Sequence, residues 1–191
     1  MVVRSCPEPR PPNPEHRRAR FLFLSVLVVC GCAPSGVTSD WHRIDPPIAS
    51  ADFTLPQLDG GNVSLSGLRG HVVVMEFWAT WCGPCRYSTP SLEVIYRKFR
   101  ERGVVVLLIN HGEPEQDVRA WAERRFTAPI LLDAGDRVAD RYGVQGIPSL
   151  FIIDQTGRIV YAESGYRGGL ERNLKRALEE LLAELPPPTH A

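Results

Sequence analysis

The sequence lacks net charge, a long apolar run and a large complement of cysteines. Its 22 Lys and Arg residues balance 22 Asp and Glu residues, and no basic patch is interleaved with aromatic residues, which argues against nucleic acid as a partner. The apolar stretch at residues 21–29 has nine residues, too few to span a bilayer unassisted. None of the five cysteines follows Cys85. A zinc site is therefore the weaker interpretation of Cys82-Gly-Pro-Cys85, because no second ligand pair follows.

The N-terminus has the features of an export signal. Residues 1–20 are rich in Pro and Arg, and the short apolar stretch follows them, an order typical of such signals. Gly31 then precedes Cys32, which resembles a bacterial lipobox and implies cleavage after Gly31 and acylation of Cys32. Ordinary secretion or an uncleaved anchor are the alternatives. We expect an extracytoplasmic location at the cell envelope, where disulfides persist.

The chain divides into four predicted segments. These are an export signal at 1–31, a flexible tether at 32–50, a folded domain at 51–185 and a tail at 186–191. A hydrophobic content of 43% suits one globular domain with extensions. Two further cysteines fall within the signal, and a lipid would block Cys32. Cys82 and Cys85 would then be the only free pair of the mature chain.

The sequence of the folded domain predicts an α/β fold. Residues 72–78 are apolar on both strand faces apart from Glu76, which predicts a central strand covered by helices on both sides. Residues 103–109 form a second such strand, and an amphipathic helix pattern lies between the two. A hairpin is predicted near the N-terminus, and a late hairpin at 149–162 adds antiparallel strands at the sheet edge. We therefore predict a three-layer sandwich around a mixed sheet.

The two cysteines lie between the central strand and the helix that follows it. A helix N-terminus offers unpaired N–H groups and a positive dipole end, which favour a thiolate over a thiol. We expect Cys82, at the exposed edge of the turn, to attack substrate, and Cys85 to resolve the mixed disulfide. A passive structural disulfide is the alternative, although so small a loop would stabilise little.

The segment Glu76-Phe-Trp-Ala-Thr-Trp-Cys-Gly-Pro-Cys85 resembles the thioredoxin active site, and Gly146-Ile147-Pro148 resembles that superfamily's cis-proline loop. The additional helix and strand between 110 and 148, with the lipid-type signal, resemble the TlpA/ResA-like branch of membrane-tethered thiol-disulfide oxidoreductases. This implies a thioredoxin-like sandwich with an inserted helix and strand. It also implies a substrate-binding surface formed by Trp81, Gly83, Pro84, Gly146, Ile147 and Pro148.

Two positions depart from the branch. Glu76 stands where the branch commonly has Asn and plain thioredoxin has Asp, and Ser88 stands where some ResA-like reductases carry a functional Glu. A carboxyl group in an apolar strand should have a raised pKa and could exchange a proton with Cys85. The alternative is a Glu at a frayed strand end that reaches solvent. We likewise expect Trp81 to be exposed at the site and Trp78 to be packed inside.

The resemblance implies a lipid-anchored reductase of protein disulfides that needs no cofactor or metal beyond its own cysteine pair. Its expected partners are protein disulfides or dithiols, with apocytochrome c as the leading candidate, and a membrane-embedded thiol relay as electron donor. We expect a monomer. The alternative is a lipid-anchored binding module whose disulfide is structural. A peroxidase is less well supported, because the residues around Cys82 are not those of peroxiredoxins.

Overall fold

The computed structural model describes residue 41 and residues 43–122 and 125–184. The predicted signal, Cys32 and the tail at 186–191 lie outside these residues. Eight strands are present in the described part: β1 Ile48–Ala49, β2 Thr54–Pro56, β3 Asn62–Ser64, β4 Val72–Trp78, β5 Val104–His111, β6 Ile130–Asp133, β7 Ser149–Ile153 and β8 Arg158–Ser164. Its four α-helices are α1 Cys85–Phe99, α2 Glu115–Ala122, α3 Arg137–Arg141 and α4 Leu170–Ala183.

Six strands form one mixed sheet in the order β1-β8-β7-β4-β5-β6. β4, β5 and β6 are parallel, and β7 and β8 are antiparallel to their neighbours. β2 and β3 form the separate N-terminal hairpin that the sequence predicts. The late hairpin adds two antiparallel strands on one side of the parallel strands, as the sequence predicts, although the two-residue β1 lies beyond it. β7 pairs directly with β4, and β1 covers the outer side of β8.

The sheet lies between two hydrophobic cores, as the absence of alternation in β4 predicts. Val72, Val74 and Trp78 pack with residues of α1, α2 and α4 on one face. Val73, Met75 and Phe77 pack with α3 and the β2–β3 hairpin on the other. This arrangement confirms the predicted three-layer sandwich with a mixed sheet. Since side chains alternate along a strand, Glu76 faces the α1 and α4 side.

The last residues of the predicted tether are part of the folded structure. Ile48–Ala49 pair with β8, and the Ile44 N–H donates to the Val160 carbonyl at 2.8 Å. The Arg43 guanidinium donates to the carboxylate of Glu184 just after α4. The predicted boundary at residue 51 is therefore too late. The segment is held by backbone hydrogen bonds, by the Arg43–Glu184 ion pair and by packing of Trp41 against Tyr161.

Candidate active site

The predicted cysteine pair is a disulfide at the start of α1. Cys85 is the first residue of the helix, and Cys82 lies in the turn before it, with the two Cα atoms 5.3 Å apart. The Cys85 N–H donates to the Cys82 Sγ, with N and S separated by 3.2 Å. An N–H of the first helical turn has no partner within the helix, so it is free to bind the sulfur. This contact supplies the interaction that would stabilise a thiolate at position 82.

Cys82 is less exposed than predicted. Only 3% of its surface is accessible in the disulfide form, and Cys85 is fully buried. Cys82 and Cys85 both pack in the hydrophobic core on the α1 face of the sheet, and this packing accounts for their burial. The surface of the turn is instead formed by Trp81, Gly83 and Pro84, which are exposed. Thiol–disulfide exchange needs access to one sulfur, so any approach is confined to the small exposed part of Cys82.

The predicted cis-proline loop lies at the same end of the sheet. The Ile147–Pro148 peptide bond is cis, as expected from the sequence. Ser149, the next residue, is opposite Phe77 in the β4–β7 pairing, so the loop lies beside the end of β4 from which the cysteine turn leaves. The Ser149 hydroxyl donates to the Gly146 carbonyl at 2.6 Å and fixes the loop internally. The structure thus brings the two predicted motifs together.

Glu76 is fully buried in the middle of β4, which contradicts the alternative that it reaches solvent at a frayed strand end. Among the described residues, neither of its carboxylate oxygens has a hydrogen-bond partner. Burial raises the pKa of the Glu76 carboxyl to about 7, and the hydroxyls of Ser88 and Thr89, which face it from α1 without a formed hydrogen bond, partly offset this rise. Such a group is protonated and ionised in similar proportions near neutral pH.

A narrow cavity connects Glu76 with the active-site elements. Its lining includes Glu76, Ser88 from α1, Pro148 from the cis-proline loop, Glu163 and Arg167. The space open to the centre of a water-sized sphere is about 10 Å³, which is room for about one water molecule. Glu76 therefore borders a small space, shared with Ser88 and Pro148, that could hold a water molecule.

The two tryptophans near the disulfide differ in exposure, as predicted. Trp78 is fully buried, and its ring lies 4.5 Å from that of Trp121 between centroids. Trp81, directly before Cys82, is 66% exposed. The first anchors the strand end, and the second is available for contact with another molecule.

Sequence reasoning missed Glu113. Its carboxylate accepts the Thr80 N–H at 2.7 Å, the Thr80 hydroxyl and the Asn110 side-chain amide at 2.7 Å. Asn110 lies near the end of β5 and is buried. These bonds fix the chain two residues before Cys82. The position of Glu113 in the sequence could have indicated this role, because polar residues just beyond the carboxyl ends of neighbouring parallel strands commonly form binding or catalytic sites.

Within residues 43–122 and 125–184, no group of three or more His, Cys, Asp and Glu side chains is placed to hold a metal ion. None of the helices in that part of the chain is both long and apolar enough to cross a membrane.

Comparisons with known proteins agree with this geometry. The model of the AhpC/TSA family matches residues 49–162. The thiol-disulfide oxidoreductase ResA of Geobacillus thermodenitrificans is 36% identical, over 86% of this chain and 98% of its own length. A structure described as thiol:disulfide interchange protein DsbE of Chlorobium tepidum superposes with a TM-score of 0.68 at 30% identity, covering 73% of this chain and 99% of its own. An exposed lipoprotein thioredoxin of Streptococcus pneumoniae superposes with a TM-score of 0.62 at 29% identity, covering 69% of this chain and 100% of its own.

Proposed function

Since this chain belongs to the AhpC/TSA family, and within it to the thioredoxin-like thiol-disulfide oxidoreductases, we propose that it reduces protein disulfides with the Cys82–Cys85 pair. The observation that carries the proposal is the position of this disulfide. It stands at a helix N-terminus, with the Cys85 N–H bound to the Cys82 sulfur. That contact supports Cys82 as the nucleophile, because it would stabilise negative charge on the Cys82 sulfur rather than on that of Cys85.

The proposed reaction starts from the dithiol. The Cys82 thiolate attacks one sulfur of a substrate disulfide, forms a mixed disulfide and releases the first substrate thiolate. Cys85 then gives up its proton and attacks the Cys82 sulfur, which releases the second substrate thiolate and closes the Cys82–Cys85 disulfide. Two electrons pass from the enzyme dithiol to the substrate, and the enzyme is left oxidised.

Glu76 is proposed to hold the proton that Cys85 gives up. With a pKa raised by burial to about 7, its carboxylate can take a proton near neutral pH and return it when the disulfide is reduced again. Its position beside the first turns of α1, facing Ser88 and Thr89, supports this role. The narrow cavity beside it, which the exposed Arg167 also lines, has room for about one water molecule to relay the proton.

The cis-proline loop is proposed to dock an extended substrate segment. The backbone of Gly146 and Ile147 would pair with that segment, in the way that a strand is added to a sheet edge. Trp81, Gly83 and Pro84 would contact it from the cysteine turn, where all three are exposed.

Insulin reduction tests the proposal. Cys82→Ser should abolish activity, and Cys85→Ser should trap mixed disulfides that gel electrophoresis detects. Glu76→Gln should slow turnover and flatten its pH profile around neutrality, whereas Glu101→Gln, a change at an exposed carboxylate on the surface, should leave the profile unchanged. An active Cys82→Ser protein would refute the nucleophile assignment, and an unchanged Glu76→Gln profile would refute the proton role.

A structural disulfide in a binding module is the second candidate, and the small exposure of Cys82 is the observation that favours it. The two candidates differ in how the disulfide responds to reductant. Reduction by dithiothreitol under native conditions, followed by circular dichroism and thiol titration, should open the disulfide with the fold intact if the pair is catalytic. A disulfide that opens only on unfolding would favour the binding module.

We further propose that the protein is anchored to the cell envelope by a lipid on Cys32 and receives electrons from a membrane thiol relay as a monomer. The basic and apolar N-terminal segments support the anchor, as does the similarity to a lipoprotein thioredoxin. Apocytochrome c is the proposed client, by resemblance to the branch. Metabolic labelling of the full chain with palmitate should mark the wild type and not Cys32→Ala. Labelling of that variant would remove the assignment.

A further inference from the structure

Large aromatic side chains are exposed around the disulfide. In the described part of the chain, the exposed large hydrophobic side chains are Ile48, Trp81, Tyr87, Val94 and Tyr166. All three aromatic members belong to the active-site elements: Trp81 precedes Cys82, Tyr87 lies on the first turn of α1, and Tyr166 follows β8. Exposed aromatic rings of this kind are costly to leave in water and are enriched at protein interfaces.

Tyr87 and Tyr166 form one stacked pair. Their ring centroids are 5.7 Å apart and the planes differ by 28°. The Gly165 N–H, next to Tyr166, donates to the Pro148 carbonyl at 2.8 Å. The pair therefore joins the first turn of α1 to the cis-proline loop. Stacking holds both rings in place before any partner arrives, so little side-chain freedom is lost on binding.

An arginine stands beside each of these tyrosines in the sequence, and Arg86 also lines a pocket with Glu93 and Trp121. The two arginines, Arg86 and Arg167, are both exposed. Among the described residues, neither side chain forms an ion pair or a hydrogen bond. Glu163 lines the same narrow cavity as Arg167, but the two are not an ion pair. The rim of the site thus carries positive charge that is not neutralised by direct contact.

From this combination, and resting on the proposed function, we propose that Trp81, Arg86, Tyr87, Tyr166 and Arg167 dock an extended client segment with acidic side chains close to its cysteine. Trp, Tyr and Arg are the residues that most often dominate binding energy at interfaces. Positive charge at the rim selects a partner of opposite charge. Side chains two positions apart on an extended segment are about 7 Å apart on one face, so acidic residues two positions from the client cysteine would lie beside it on the side that faces the enzyme.

Three disulfide-linked peptides test the proposal. They are identical except for the residues two positions before and after the cysteine, which are Glu in the first, Gln in the second and Lys in the third. The wild type should reduce the Glu peptide with a kcat/KM about fivefold above that of the Gln peptide, and the Lys peptide more slowly still. The preference should shrink as salt is raised, because exposed charges are screened.

Matched variants test whether Arg86 and Arg167 cause the preference for the Glu peptide. In the double variant Arg86→Gln/Arg167→Gln, the Glu-to-Gln peptide ratio should fall to near one. The control Lys98→Gln/Lys175→Gln removes the same net charge from exposed sites on α1 and α4 and should keep the ratio. Because the ratio is measured within each variant, a general loss of activity cancels.

The aromatic part is tested separately. Tyr166→Ala should raise KM for the Glu and Gln peptides alike by about threefold, and Tyr166→Phe, which keeps the stack, should restore the wild-type value.

The outcomes separate this proposal from the one on which it rests. Equal rates for the three peptides in the wild type, or a ratio unchanged in the double arginine variant, would overturn the acidic-client proposal and leave the reductase function standing. An unchanged KM in Tyr166→Ala would overturn the aromatic part. Failure of the wild type to reduce any of the three peptides would instead overturn the proposed function.

Discussion

Replacing Glu76 by glutamine should remove a pH-dependent loss of stability from the domain. The Glu76 carboxylate is fully buried without a hydrogen-bond partner among the described residues, and burial raises its pKa to about 7 from an ordinary value of 4.5. In the unfolded chain the same group ionises near its ordinary value. Between the two values the unfolded state binds fewer protons than the folded state, so stability must fall as the pH rises.

The magnitude follows from the separation of the two pKa values. At about 1.36 kcal/mol per pH unit, ionisation of Glu76 should cost the folded state about 3 kcal/mol by pH 7–8. Below pH 4.5 the group is protonated in both states and the cost vanishes. Glutamine resembles the protonated form in shape, so the variant should carry no such slope.

Urea unfolding of the oxidised wild type and Glu76→Gln between pH 4 and 8.5 measures this directly. The difference in unfolding free energy should be flat below pH 4.5, grow in favour of the variant up to about pH 7 and then level off. Other titrating groups are common to both proteins and cancel in the difference. A difference that stays constant across the range would refute the raised pKa and, with it, the proton role of Glu76.

Three further substitutions probe polar contacts behind and beside the site. Glu113→Ala should make the redox potential of the Cys82–Cys85 pair less negative and reduce insulin turnover about tenfold, because Thr80 loses its hydrogen-bond acceptor and the cysteine turn loosens. Glu113→Gln should restore most of the potential and of the turnover. An unshifted potential in Glu113→Ala would argue against a positioning role. Glu93→Ala should lower the free energy of unfolding by about 3 kcal/mol at pH 7, because its carboxylate accepts hydrogen bonds from the Thr127 hydroxyl and from the Thr127 and Ala128 N–H groups. Burial alone would raise the pKa of Glu93, but these hydrogen bonds outweigh burial and lower the pKa. The loss should therefore shrink as the pH falls below the ordinary value of 4.5, and a loss independent of pH would contradict this. Asp133→Ala should cost about 1–2 kcal/mol by denaturant unfolding, because its carboxylate accepts two N–H groups at the start of α3, and Asp133→Asn should recover part of the loss.

The central part of the fold was predictable because it depends on periodicity. An unbroken apolar strand at 72–78 must be covered on both faces, and the structure places a hydrophobic core on each side. The turn, the helix start and the cis Ile147–Pro148 bond followed from short motifs with a local cause. In each case, the residues that determine the structure are close together in the sequence.

Features set by distant partners were harder to predict. The strand at Ile48–Ala49 exists because β8 offers it a pairing edge, which its own composition does not indicate. Glu113 acts through Thr80, 33 residues away in the sequence. The burial of Cys82 depends on packing between the turn and the core, and it is greater than the helix-start argument suggested.

The proposed function depends on Cys82 being the reactive sulfur, and the pH dependence of alkylation measures this property. The reduced protein would be treated with limiting iodoacetamide from pH 5 to 10, and the modified residue identified by mass spectrometry. We expect Cys82 to be modified first, with a midpoint below about 8.5, the value of an ordinary thiol. Modification of Cys85 first, or a midpoint at or above that of a free thiol, would contradict it.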